Sequence, residues 1–378
     1  MAFVKKTRYL LAPPYCKTVE TFISPIPVSI SDISDGLRLA GGWRYFKNLR
    51  IIQKKNSSLI EVQMPTKELL KVTKKYSKNA LSEAESQIEN LVNKRDSFAK
   101  LDMSKPHIMG VINLTPDSFY KNSQTTNINK FNKNFYEMIN DGASIVDIGG
   151  ESSRPGAKKI SVAEEKNRVV GPIQQLKNCK INSLISLDSR NLSTMKTCHK
   201  IGVDIFNDIT AFEERNKIEF ISKIHSPIII MHMQKEPRNM QKSPKYNFAP
   251  IDIYKFFSKK IDYLIRAGVR KSNIVIDPGI GFGKTLSDNL NILKYLPLFH
   301  GLGVPILIGV SRKSLIGELT IDNYKLRKKN KKIIEPSKRL SGSLAFAIHA
   351  NMSGVQILRT HDVFETNQAL ICQKSINF

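Results

Sequence analysis

The sequence predicts an α/β protein: a (β/α)8 TIM barrel with a small N-terminal α+β extension. Three observations lead there. From about residue 106 onward, eight short apolar runs alternate with longer segments of helical periodicity. The runs are nearly continuous in apolar residues, as in a parallel sheet covered by helices. Eight β–α units in about 270 residues also fit the size of one such barrel. A doubly wound open sheet is the architectural alternative that the same alternation allows.

The first 105 residues precede the alternation and form the expected extension, with the barrel occupying 106–378. WRYFKNLRIIQKKNSSLIEVQMP (43–65) reads as a hairpin turning near Asn56-Ser57-Ser58. Residues 66–98 read as one or two amphipathic helices leading into the barrel. The eight runs follow as HIMGVIN (107–113), SIVDIGGE (144–151), SLISLD (183–188), DIFND (204–208), PIIIMHM (227–233), NIVID (273–277), PILIGVS (305–311) and VQILRTHD (355–362). Roughly seven helices lie between them. IDIYKFFSKKIDYLIRAG (251–268) shows the apolar spacing i, i+3, i+4, i+7 most clearly. FETNQALICQKSI (364–376) reads as the last helix.

Each run closes on polar groups: Asn113, Glu151, Asp188, Asn207 with Asp208, His232, Asp277, Ser311 through Lys313, and Arg359 with His361. One such residue could merely cap a turn. Eight in register converge on a single face of a barrel, where the loops build a site. Asp188, Asn207 and Asp277 offer carboxylate and amide edges suited to a flat heterocycle bearing an amino group beside a ring N–H. Lys313 could reach a ring carbonyl. Arg154, Arg312, Arg359 and His361, with Asn113 and the hydroxyls of Ser152 and Ser153, suit a phosphate or pyrophosphate. The loop GGESSRPGA (149–157) lets backbone approach a ligand closely.

DPGIGFGKT (277–285) resembles a phosphate-binding P-loop only superficially. Counting back from Gly283-Lys284-Thr285, the position that must be Gly is Pro278. The three glycines read instead as a tight turn presenting Asp277.

Composition narrows the remaining classes. The chain has 378 residues, is 41% hydrophobic and carries a formal net charge of +26. The positive excess is spread along the chain, so it points to anionic ligands and not to a nucleic-acid reader. The densest cluster, KLRKKNKK (325–332), reads as a solvated loop. Cys16, Cys179, Cys198 and Cys372 are scattered, with no CxxC and no metal-like spacing, as expected of reduced thiols in the cytoplasm. The apolar stretch in MAFVKKTRYLLAPPY stops at Pro13-Pro14, too short for a signal peptide core, and no window approaches a membrane span.

These residues together resemble the dihydropteroate synthase family. IMGVINLTPDSF (108–119) and GASIVDIGGESSRPGA (142–157) are similar to its two signature segments. SLDS (186–189), FNDI (206–209), IIMHMQ (229–234), DPGIGFGKT, GVSRKS (309–314), GSLAFAI (342–348) and RTHDV (359–363) follow in family order. The resemblance implies a transferase of folate biosynthesis and sulfonamide target. It joins 6-hydroxymethyl-7,8-dihydropterin pyrophosphate to para-aminobenzoate.

Carried over by motif, Asp188, Asn207, Asp277 and Lys313 would hold the pterin, with Met233 and Arg359 along its faces. Asp188, Asp277 and Lys313 would carry the catalysis. Asn113, Arg154, Arg359 and His361 would bind pyrophosphate, with Mg2+ bridging it to Asn113. Ser152, Ser153, Pro155, Lys313 and Ser314, with Phe119, would frame the aminobenzoate. A homodimer through late barrel helices is implied as well. A pterin-binding methyltransferase would share the ring-binding acids but would not need Ser152 to Pro155 or Ser311 to Ser314. A non-catalytic relative would have lost the strand-end polar groups. The first loop departs from the family at Tyr120-Lys121-Asn122-Ser123-Gln124, where a small Gly-containing turn is usual.

Overall fold

The structure, a computed structural model, describes residues 4–7, 9–11, 19–29, 36–56, 58–69, 82–114, 124–179, 183–323 and 334–376. The expected hairpin is present as β4 (Tyr45–Lys55) and β5 (Ser58–Pro65), paired antiparallel with Lys55 opposite Ser58. Asn56 takes φ 55°, the left-handed conformation that asparagine tolerates best among side-chain-bearing residues.

The hairpin is part of a larger sheet. β1 (Val4–Lys6) adds parallel to β5, while β2 (Glu20–Val28) and β3 (Leu37–Arg38) pair with β4. β2 was not legible in the sequence because Pro25 and Pro27 interrupt it. Proline cannot donate to a ladder, and β2 accordingly lies at the sheet's edge.

Helix α1 (Ser82–Val92) covers one face of this sheet. Ala84, Ile88 and Leu91 recur at helical spacing and pack on Ile23, Leu49 and Ile51. The helix stops short of the expected 98: the Arg95 N–H turns to the carbonyl of Ala40 at 3.3 Å. Successive residues on the strands face opposite ways, so Phe22, Ile52 and Leu59 instead join the main barrel core.

All eight apolar runs form parallel strands: β6 (His107–Asn113), β7 (Ala143–Gly149), β8 (Leu184–Asp188), β9 (Ile205–Asp208), β10 (Ile228–Met231), β11 (Ile274–Asp277), β12 (Leu307–Gly309) and β13 (Ile357–Thr360). Their order is β11-β10-β9-β8-β7-β6-β13-β12. An Ile276–Ile306 bridge joins the two ends, with the Ile276 N–H on Pro305 O at 3.1 Å. The ring is closed, which removes the open-sheet alternative.

Around it run α2 (Gln124–Asn140), α3 (Val162–Asn178), α4 (Leu192–Ile201), α5 (Arg215–Ile224), α6 (Ala249–Arg266), α7 (Leu286–Lys294), α8 (Ser314–Asn323), α9 (Leu340–Met352) and α10 (Val363–Ser375). The expected helix at 251–268 begins earlier, since Pro250 suits a first turn, and ends before Gly268 at φ 92°. Two helices, not one, lie between β12 and β13. The basic run 325–332 between them is outside the described residues.

The lower barrel is filled by Met109, Ile145, Ile205, Ile229, Val275, Leu307 and Ile357, one each from seven strands. Phe98 and Met103 close it from below, on a turn whose Phe98 and Leu101 exchange backbone bonds at 3.1 and 2.8 Å. The N-terminal segment is pinned to the same end. Arg95 donates to His300 O at 2.8 Å, Trp43 to Asn351 O at 3.2 Å, and the Tyr295 hydroxyl to Glu61 at 2.7 Å. With the strands' N-terminal ends plugged, chemistry is left to the C-terminal ends.

Candidate functional site at the strand C-termini

Asn113, Asp188, Asn207, Asp277 and Arg359 sit at the C-terminal ends of β6, β8, β9, β11 and β13. Ladder register brings Gly149, Asp188 and Asn207 side by side. A side chain at Gly149 would begin 3.3 Å from the Asp188 Cβ, so glycine leaves the carboxylate room.

Arg359 occupies the centre. Its Nε donates to Asp147 Oδ2 at 2.8 Å, and its Nη2 lies 3.0 Å from Asp188 Oδ2. Asn207 donates to the same Asp147 oxygen at 3.0 Å. Burial pushes the Asp188 carboxyl up to about 7; the Asp147 charge adds to this while Arg359 opposes it. Two acids therefore share one guanidinium in a dry setting.

Across the mouth, Asp277 accepts the Gly279 N–H at 2.8 Å. Burial raises its pKa, and Lys313 pulls it back. Lys313 donates to Ile280 O and stands 4.7 Å from the centre of the Phe282 ring. Burial lowers its ammonium to about 8 even though Asp277 favours the charged form. Arg312, immediately before it, adopts φ 57°, which turns the chain so that Lys313 points inward while Arg312 pairs with Asp362.

Ser152 and Ser153 are half-buried, and Arg154 and Pro155 exposed, on the loop after β7. Glu151 holds this loop through two bonds to Arg190, at 2.9 and 2.8 Å, and is a tether, not a convergent ligand group. His361 is exposed with its Nδ1 3.1 Å from Ser311 Oγ. Met233 is half-buried beyond β10, and Ser314 is exposed at the start of α8. Phe119 and the departing loop at 120–123 lie outside the described residues.

One strand-end group does not belong to the mouth. His232 is buried edge-on against Phe256, with ring centroids 4.8 Å apart. Its carbonyl and Nδ1 each lie 3.1 Å from the Lys284 ammonium, which also donates to Phe282 O at 2.9 Å. Lys284 is wholly buried, and burial brings it down to about 7. Its hydrogens are committed to the loop, so it is not a P-loop lysine. Sequence reasoning missed both Lys284 and Asp147. The signal for Asp147 was a carboxylate inside an otherwise apolar, doubly covered strand.

A metal needs its own test. No group of three or more His, Cys, Asp or Glu side chains among the described residues is placed to hold one. Asn113 offers a single neutral oxygen donor. That set does not fit a metal held by the protein alone, but it fits Mg2+ arriving on a phosphate ligand, which needs only one or two protein donors. A cleft of about 560 Å3 lies elsewhere, between β2, α1 and α6.

Residues 109–361 match the family model described as pterin binding enzyme. Over 270 residues the chain is 40% identical to the dihydropteroate synthase of Escherichia coli K12, covering 71% of this chain and 91% of that protein. The chain belongs to the dihydropteroate synthase family. The Bacillus subtilis synthase is 36% identical over 260 residues, covering 68% of this chain and 84% of that one. Among solved structures, Yersinia pestis dihydropteroate synthase in complex with a sulfonamide drug superposes with TM-score 0.66 at 36% identity, covering 73% of this chain and 96% of that one. The Xanthomonas albilineans synthase with 4-aminobenzoic acid gives TM-score 0.64 at 33% identity, over 73% of this chain and 94% of that one. The family match begins at Met109, beyond the N-terminal sheet.

Proposed function

We propose that this chain is an active dihydropteroate synthase. It condenses 6-hydroxymethyl-7,8-dihydropterin pyrophosphate with para-aminobenzoate, giving 7,8-dihydropteroate and pyrophosphate. The observation that carries the reading is the assembly of buried Asn207 and Asp277 with partly buried Asp188, Lys313 and Arg359 at one barrel mouth, in a member of this family. A flat ring with alternating donors and acceptors meets partners of both kinds there. Asp277 already holds the Gly279 N–H with one oxygen and offers the other to the ring.

In the reaction the methylene C–O bond breaks, and its electron pair leaves with pyrophosphate. Positive charge develops on the pterin, where Asp188 and Asp277 stabilise it by preorganised negative charge. The aniline nitrogen of aminobenzoate then bonds to the methylene carbon and releases a proton. No covalent nucleophile on the protein is required. Arg154, Arg359 and His361 would receive the departing anion. Mg2+ carried in by the pyrophosphate and met by Asn113 would neutralise charge on the leaving group. Ser152, Ser153, Pro155, Ser314 and Phe119 would frame the aminobenzoate, and Met233 one face of the pterin.

The reading also takes the protein to be cytoplasmic and without a nucleic-acid or membrane partner. No helix among the described residues is long and apolar enough to cross a membrane. A second copy would cover the exposed Met352 on α9 and Phe364 and Ile371 on α10. Sedimentation at micromolar concentration tests this, and a monomer there overturns it.

The deciding experiment supplies pterin pyrophosphate, aminobenzoate and Mg2+ and follows dihydropteroate. Turnover is expected, with sulfonamides competing against aminobenzoate and with severe losses in Asp277→Ala and Lys313→Ala. Folded, metal-supplied protein that forms no product overturns the reading.

A further inference from the structure

We propose that Asp147 is the positioning residue of the pterin slot, fixing the distance and orientation of Arg359 and Asn207 across the barrel mouth. The inference deepens the synthase reading and rests on it.

Asp147 differs from the buried acids Glu165 and Asp208 in what it touches. Glu165 is satisfied by Ser189, Asn191 and Thr194, at 2.8, 3.0 and 2.5 Å. Asp208 takes the Phe212 N–H, both donors of Thr210, and Lys217. Those partners belong to turns and helices, so these two acids brace the scaffold. Asp147 bonds instead to Arg359 and Asn207, two groups assigned to the ligand.

The topology explains why one carboxylate can do this. Arg359 lies on β13 and Asn207 on β9, each two strands away from β7 in the ring. Asp147 faces inward from β7 between them. Its Oδ2 lies 2.7 and 2.8 Å from two nitrogens of Arg359 and 3.0 Å from Asn207 Nδ2. Contact with two nitrogens fixes the guanidinium plane, not only its charge. Asp147 is fully buried, and its Oδ1 has no partner among the described residues. A buried carboxylate kept half-satisfied is costly to a fold, which suits a group retained for the site.

An amide at this position puts a neutral oxygen where the charged Oδ2 meets Arg359 and Asn207, and brings donors of its own. In Asp147→Asn, Arg359 loses its charged anchor and moves onto Asp188, and the Asn207 amide loses its fixed orientation. The expected result with full-length protein is a KM for pterin pyrophosphate raised about tenfold or more. Affinity for a phosphate-free pterin, measured by calorimetry, should fall in parallel. The KM for aminobenzoate and the melting temperature should stay close to wild type. A uniform fall in kcat with both KM values unchanged, or activity that merely tracks the folded fraction, would make Asp147 structural and overturn the proposal.

Should the variant fail to fold, a crystal structure of wild-type protein with a pterin decides. Arg359 Nε must remain on Asp147 in the complex; a guanidinium swung free overturns the inference. Wild-type protein that binds no pterin and shows no turnover removes the synthase reading itself, an outcome distinct from either of these.

Discussion

Pterin affinity should follow a narrow bell in pH. The productive free protein needs Asp188 ionised, to meet N–H donors and positive charge, and Lys313 protonated, to meet a ring carbonyl. Asp188 is pushed up to about 7, mainly by burial with Asp147 adding, and Lys313 is brought down to about 8 by burial. Simple titration with those values leaves about 60% of molecules productive near pH 7.5, but only about 10% near pH 6 or pH 9. Affinity should therefore drop roughly sixfold on either side, or about 1 kcal/mol.

The signs separate this from unfolding. A carboxyl with a raised folded pKa contributes stability that is present at low pH and lost as pH rises through about 7. From this group, then, stability grows as pH falls while pterin affinity falls. A lysine held down to about 8 is likewise less costly to the fold once it is neutral above that pH. Calorimetric titration with a phosphate-free pterin from pH 6 to 9 reads the affinity without interference from phosphate ionisation. Lys313→Arg should lose the alkaline limb and keep the acid one, since guanidinium stays charged throughout. Affinity that is flat across the range, or an alkaline limb that survives in Lys313→Arg, refutes the assignment.

Three further outcomes are expected. Phe98→Ala opens the bottom of the barrel and should cost about 3–5 kcal/mol in urea unfolding, with pterin affinity unchanged, because the plug lies at the far end from the site. Arg190→Ala leaves Glu151 unpaired at 12% exposure and should cost about 3 kcal/mol by the same measurement, while raising the KM for aminobenzoate through the loosened loop. Gly279→Ala would set a Cβ 2.1 Å from the His232 carbonyl at a backbone φ of 69°, so it should yield unstable protein or abolish pterin binding in calorimetry.

Much of the barrel was legible because strands buried on both faces leave continuous apolar runs, and all eight runs became strands. What the sequence obscured had local causes. Strand β7 stops at Gly149, so Glu151 belongs to the loop and not to the strand end. β2 hides behind two prolines, and β3 has only two residues. The hairpin at 45–65 was visible from its turn, yet its place in a five-stranded sheet depends on pairings between distant segments that carry no local mark.

The site was readable to the extent that its residues stand where an apolar run ends. That rule found Asn113, Asp188, Asn207, Asp277 and Arg359, and it also admitted His232, which the fold buries among aromatic rings. It passed over Asp147, two residues inside its strand, and Lys284, whose motif failed a spacing test aimed at another chemistry. A better criterion is how a buried polar group is satisfied. Lys284 spends its hydrogens on the carbonyls of His232 and Phe282 and on the His232 ring, so it builds the loop. Among the described residues, the Asp147 side chain is bonded by Arg359 and Asn207 and its other oxygen has no partner, so it serves the mouth of the barrel. Both are charged groups in dry surroundings, and neither residue type nor position separates them. The partners do, and partners exist only once β13, β7 and β9 have been brought into one ring.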